Sequence, residues 1–112
     1  MVTEGPPFSV QLHTQGDEVT VVAFGEVDLD SAPRLGAAVE QANAAPCRRV
    51  VMDLRGVDYL DSSGVHCLLD AAASARRAGR EFRVVGVQRP VFSVLEITGV
   101  TDELAVEAAS GD

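Results

Sequence analysis

The sequence predicts an α/β fold in which α-helices cover a mixed β-sheet. Three observations support this: an early pair of β-branched runs, later strongly apolar strands, and three stretches with the apolar period of helices. The predicted order is ββαβαβαβ, with right-handed crossovers between parallel strands and an antiparallel hairpin at the start. With 112 residues, 46% of them apolar, the chain fits a single domain over residues 1–112. We expect a core at about 8–107 between flexible ends, 1–7 and 108–112.

The first two strands are expected to form the hairpin. Phe8–His13 alternates apolar and polar residues, as a half-buried strand does. Gln15–Asp17 contains a central glycine and signals a turn. Glu18–Gly25 is rich in β-branched residues and supplies the partner strand.

The first helix is delimited by residues that favour helix ends. Asp30 or Ser31 is expected to cap it, Pro33 lies in its first turn, and Pro46 stops it. The apolar period predicts a buried face made of Leu35, Ala38, Val39 and Ala42.

The middle of the chain predicts a central strand followed by a second helix. Val50–Leu54 is a short apolar run typical of a strand that is buried on both faces. Gly56–Asp61 is predicted to be a loop, and the helix starts near Ser62 and ends before Gly79. Its apolar stripe comprises Val65, Leu68, Leu69 and Ala72.

The last third of the chain predicts a strand, a third helix and a final short strand. Phe82–Val87 is the strand, Pro90 opens the helix, and Gly99 closes it. Leu104–Val106 is predicted to be the last strand. The inner face of the third helix comprises Val91, Val94 and Leu95.

Composition excludes several classes of function. The net charge of −8 disfavours direct contact with the phosphate backbone of nucleic acids. The sequence has neither a run of about 20 apolar residues nor a basic, apolar leader, so we expect a soluble cytoplasmic protein that does not bind membranes.

Cys47 and Cys67 lack the spacing of a metal site. We expect free thiols acting as small hydrophobes, with a redox switch as the alternative.

The most informative segment is Val50–Val65, where a buried strand leads into an acidic loop and then into two serines and a glycine. Asp58 and Asp61 lie in that loop. Hydroxyl groups at a helix N-terminus face unsatisfied N–H groups, where a phosphate is tolerated. Gly64 removes side-chain bulk, so a second protein could approach closely. The alternative is an ordinary Asp-Ser-Ser helix cap.

In this order and spacing, the motifs of the chain resemble those of the anti-sigma factor antagonists, the single-domain members of the STAS family. The resemblance extends from Phe8 to Val106 and implies a STAS-type sheet. The motifs are Gly25-Glu26-Val27-Asp28, Ser31-Ala32-Pro33, Asp53-Leu54, Asp61-Ser62-Ser63-Gly64 and Val94-Leu95-Glu96-Ile97-Thr98-Gly99-Val100.

The resemblance implies a regulator without catalytic activity or cofactor. The unmodified protein would bind an anti-sigma factor and release a sigma factor. That partner, commonly a serine kinase using ATP and magnesium, would phosphorylate Ser63 and end the binding, and a phosphatase would reset the system. The resemblance implies a partner-binding surface comprising Asp28, Asp58, Asp61, Ser62, Ser63 and Gly64.

Three other functions are weighed against this one. An enzyme with Ser63 as nucleophile would need G-x-S-x-G, which is absent, and His66, one helical turn away, has no obvious third triad member. A scaffold or sensory-complex role without a sigma-factor partner is the alternative within the family. Nucleotide binding is disfavoured because the sequence has no G-x-x-x-x-G-K-[ST] loop.

Overall fold

A computed structural model describes residues 7–107, and the terminal segments predicted to be flexible fall largely outside that range. The structure confirms the predicted fold class, with three helices and a four-stranded sheet. No helix within residues 7–107 is long and apolar enough to cross a membrane. The elements are β1 (Ser9–Gln15), β2 (Glu18–Val27), α1 (Ala32–Ala44), β3 (Arg49–Leu60), α2 (Ser62–Arg77), β4 (Glu81–Val85) and α3 (Arg89–Ile97).

The strands lie in the order β1-β2-β3-β4, and the sheet is mixed as predicted. β1 and β2 pair antiparallel, from Ser9 opposite Phe24 to Gln15 opposite Glu18, and Gly16 takes a positive φ of 61° in the turn. β2–β3 and β3–β4 pair parallel. The carboxyl ends of β2 and β3 therefore meet at the same end of the sheet.

The helices pack on one face of the sheet. Alternate residues of β2, such as Val19 and Val21, join the buried residues of all three helices in a single core cluster. The predicted faces of the helices are confirmed, except that Leu69 and Val94 are only half-buried. The largest fully buried side chains include Leu35, Met52, Leu54, Leu68, Leu95 and Leu104.

The loop predicted at 56–61 is wrong, because β3 continues through it to Leu60. Val57 and Leu60 are buried and pair with β2 residues, with register shifts that absorb the irregular sequence. Gly56 permits this continuation, since a Cβ atom there would collide with the ring of Phe24. The extension carries β3 directly to the start of α2.

The final strand predicted at 104–106 is also wrong. Residues 101–105 form turns, and Val106 makes only an isolated parallel bridge with Val84. Leu104 is fully buried, so its apolar character serves the core without a strand. Ala105 has a positive φ of 50°, which interrupts an extended path at that residue.

Candidate functional site

Asp61 fixes the start of α2. Its backbone N–H donates to the carbonyl of Val27 at 3.2 Å, which ties the helix to the end of β2. Its carboxylate oxygen Oδ1 accepts from the N–H of Ser63 at 2.9 Å and from that of Gly64 at 3.2 Å. Two otherwise unsatisfied N–H groups of the helix are thereby capped. The capping interpretation is correct for Asp61, and the serine hydroxyls are not needed for the cap.

The two serines differ in exposure. Ser62 is exposed, whereas Ser63 is half-buried and lines a groove between α1 and α2 with a volume of about 640 Å³. His66 lines the same groove and is exposed, and Asp70 and Arg77 continue its polar side along α2. Ser63 therefore forms part of the lining of the α1–α2 groove and keeps some exposed surface.

Gly64 faces the core, and the expectation that it leaves room for a second protein is wrong. A Cβ atom on Gly64 would lie 2.7 Å from Cγ of Leu60 and 3.1 Å from Cγ1 of Val27. The glycine therefore allows α2 to pack closely against the ends of β2 and β3. It serves the packing beneath the site and takes no part in the exposed surface.

The loop between β2 and α1 lies beside the start of α2, because Val27 at the end of β2 pairs with Leu60 at the end of β3. The Asp28 carboxylate accepts from the N–H groups of Asp30 and Ser31, both at 3.0 Å. The N–H of Ser31, first among these donors, holds the pKa of Asp28 below its ordinary value.

Ser31 occupies the position before α1, yet its hydroxyl does not cap that helix. The hydroxyl oxygen accepts from the N–H of Asp28 at 2.9 Å and lies 2.8 Å from the carbonyl oxygen of Glu26. The predicted N-cap position at Ser31 is therefore correct, whereas the expected side-chain cap is absent. Asp28 and Ser31 hold the loop in a closed turn instead.

This turn presents Leu29, whose surface is 75% exposed and which lines the same groove as Ser63. The sequence analysis missed Leu29, and the available signal was a leucine between two aspartates in a capped loop. Asp58 is exposed on the extended part of β3, next to Tyr59, which is 48% exposed. The structure therefore groups Asp28, Asp61, Ser62 and Ser63 with Leu29, and places Asp58 on the adjoining strand.

The cysteines contribute no ligand set to this site. Cys67 lines the groove, and burial, followed by the nearby Asp70, raises the pKa of its thiol to about 11. Cys47 lies 3.1 Å from an Arg80 guanidinium nitrogen at the other end of α1. Both thiols are free. Across the described range 7–107, no group of three His, Cys, Asp or Glu side chains could hold a metal ion.

A family model described as Mlab, STAS domain matches residues 10–107. The chain therefore belongs to the STAS domain family, and the resemblance drawn from its motifs is confirmed.

The similar proteins include several antagonists. The anti-sigma-B factor antagonist of Listeria monocytogenes is 28% identical over 96 residues, which cover 86% of this chain and 84% of the relative. An anti-sigma factor antagonist from Mycobacterium paratuberculosis has a TM-score of 0.79 at 23% identity, covering 93% of this chain and 88% of that one. The Bacillus cell fate determinant SpoIIAA in its phosphorylated form has a TM-score of 0.67 at 17% identity, covering 89% and 92%. The two solved structures share the fold of this chain.

Proposed function

We propose that this protein is an anti-sigma factor antagonist, whose unphosphorylated form binds an anti-sigma factor and thereby releases a sigma factor. The observation that carries the proposal is the setting of Ser63, a half-buried serine in the first turn of α2 that lines the α1–α2 groove. Membership of the STAS family and the names of the similar antagonists support it.

The binding surface we assign combines a small apolar contact with a polar surround. Leu29 is the largest exposed apolar side chain beside Ser63, and its burial by a partner would contribute on the order of 1.5–3 kcal/mol. Gly64 is left out because it is buried. The surface comprises Asp28, Leu29, Asp58, Asp61, Ser62 and Ser63.

Phosphorylation of Ser63 would act on this surface through charge. A phosphoserine carries about −1.5 to −2 charges at neutral pH. The Asp61 carboxylate already accepts from the N–H groups of Ser63 and Gly64, so the phosphate would enter a first turn that holds a negative group. In a complex the added charge would lose its hydration without a pairing cation, which costs several kcal/mol. A SpoIIAA structure in the phosphorylated form supports the view that this fold tolerates the modification.

The proposed partners follow from this role. The anti-sigma factor is a serine kinase that takes ATP and magnesium, and the antagonist is its phosphate acceptor. A phosphatase resets the system in the cytoplasm. The antagonist itself is a binding module of a non-catalytic regulator class, as are the antagonists to which it is similar.

The test is to incubate the chain with candidate partner kinases, ATP and magnesium, and to measure intact mass. We expect the mass of one phosphate, mapped to Ser63, absent in Ser63→Ala and retained in Ser62→Ala. Ser62→Ala is a matched control because the neighbouring hydroxyl is exposed and lies outside the cap. A phosphate mapped to Ser62, or a phosphate still added to Ser63→Ala, would contradict the assignment.

A further inference from the structure

The two edges of the sheet are protected differently. At the β4 edge, the N–H of Val84 donates to the carbonyl of Ala105 at 3.3 Å, and the carbonyl of Val84 accepts from the N–H of Glu107 at 2.9 Å. Arg83 pairs with Glu107 at 3.1 Å and adds charge to that edge. Within residues 7–107, no segment pairs with the outer edge of β1. Within the described residues, the segment after Thr101 therefore blocks the β4 edge, and the β1 edge has no partner strand.

β1 also lacks the devices that keep edge strands from pairing with other chains. Such devices are short length, charged side chains, proline and bulges. Ser9–Gln15 is seven residues long, has no Asp, Glu, Lys, Arg or Pro, and keeps an unbroken register with β2. All of its residues except Val10 are exposed, and Leu12 presents 36% of its surface. In a chain with net charge −8, this is an uncharged, regular edge.

We infer that β1 pairs antiparallel with β1 of a second copy of this chain, about a two-fold axis at Leu12, and extends the sheet across both copies. The strand is self-complementary in this register, as an isologous contact requires. Leu12 lies opposite Leu12 of the second copy. Both side chains are on the helix side of the sheet, where Val10 also packs. On the opposite face Gln11 meets His13, and these two side chains already lie 3.1 Å apart within one copy.

The expected dimer is weak and depends on concentration and salt. A single strand pair buries less than the roughly 1,200 Å² at the lower end of stable interfaces. The charge of −8 on each copy opposes association, and salt screens that repulsion. Association should therefore strengthen with added salt, because the edge itself carries no ion pair to be screened.

Sedimentation equilibrium of the full chain tests the inference. We expect the mass to rise from 11.8 kDa toward twice that value with concentration, and more steeply at high salt. Leu12→Lys places two ammonium groups opposite each other and should weaken association by at least about fivefold. Ile97→Lys is the matched control, with the same charge change at a side chain that is 84% exposed on α3. A monomer at every concentration, or loss of the dimer only in Ile97→Lys, overturns the inference.

Cross-linking tests the register. In a Cys47→Ser, Cys67→Ser background, Leu12→Cys should form a covalent dimer under mild oxidation, because directly opposed residues lie about 4.5–5.5 Å apart between Cα atoms. Gln15→Cys should not, since two such residues would lie roughly 20 Å apart along the paired strands. Equal cross-linking at both positions contradicts the proposed axis. Circular dichroism confirms that each variant is folded.

The inference stands apart from the proposed function. Ser63→Ala should dimerise like the unmodified protein, and Leu12→Lys should still accept phosphate from the partner kinase. Loss of phosphate transfer in Leu12→Lys, with its fold intact, would mean that the edge belongs to the partner-binding surface, and it would overturn the assignment to a second copy.

Discussion

At the scale of single residues, Asp61 and Ser63 have different roles, although they belong to the same sequence motif. Asp61 satisfies the first N–H groups of α2, and Ser63 lines the groove with a hydroxyl that the cap does not use. Modification of the serine therefore does not remove a structural hydrogen bond of its side chain. This separation allows a regulatory change at Ser63 without loss of the helix.

The first prediction concerns charge at Ser63. Ser63→Ala should bind the anti-sigma factor about as well as the unmodified protein and should not be switched off. Ser63→Glu should bind at least about a hundredfold more weakly, since a loss of about 3 kcal/mol corresponds to that factor. Calorimetry against the partner measures both. Equal affinities for the two variants and the unmodified protein would show that charge at Ser63 does not control binding.

The second prediction concerns the cap. Asp61→Ala should lower the free energy of unfolding by about 1 kcal/mol, because the N–H groups of Ser63 and Gly64 lose their acceptor. Ser62→Ala, next to it but outside the cap, should change it by less than about 0.5 kcal/mol. Urea denaturation gives both values. A Ser62 variant as unstable as the Asp61 variant would place the cap on the wrong residue.

At the scale of elements, the position of α2 depends on Gly64, because the absence of a side chain there lets the helix pack closely against the ends of β2 and β3. Gly64→Ala should destabilise the fold by about 1–3 kcal/mol, because its Cβ would meet Leu60 at 2.7 Å. Gly36→Ala in α1 is the matched control, where a Cβ meets nothing within 4 Å. There the substitution should stabilise by about 0.5–1 kcal/mol. Thermal melts of the two variants should therefore shift in opposite directions.

The apolar stripe predicted for α2 contains two adjacent leucines, Leu68 and Leu69, which differ in burial in the structure. Leu68 is fully buried, whereas Leu69 is half-buried at the edge of the core. Leu68→Ala should cost about 2–5 kcal/mol, and Leu69→Ala clearly less, since part of its surface stays in water. Denaturation curves with equal midpoints for the two variants would contradict this assignment of the helix face.

At the scale of the whole molecule, the sequence predicts the layers well and their junctions poorly. Apolar periods identify the helices because burial repeats regularly along them. The path of Gly56–Leu60 follows instead from pairing with β2, a contact distant in sequence that overrides the local turn signals of a glycine and an aspartate. Leu104 similarly enters the core from a turn. The burial of Gly64 likewise depends on its contact with Val27, which is distant in sequence. The exposure of Leu29 depends on the hydrogen bonds between Asp28 and Ser31 that close its turn.

The molecule as a whole should change little on phosphorylation. We expect hydrogen exchange to differ between the two forms at residues 28–31 and 61–67, which surround Ser63, and to be the same along β3. The reason is that Val57 and Leu60 are buried and paired, so exchange there requires opening of the sheet. Altered protection across β3 would mean that the modification reorganises the core.

The continuation of β3 to Leu60 has a consequence for the speed of signalling. The residues that bring Ser63 to the surface are anchored in the central strand, and Asp61 is hydrogen-bonded to Val27 of the next strand. In the proposed function, the start of α2 is therefore already in place when the partner meets Ser63. The response time of the circuit would then be set by the turnover of the kinase and the phosphatase, and the antagonist itself would add no delay.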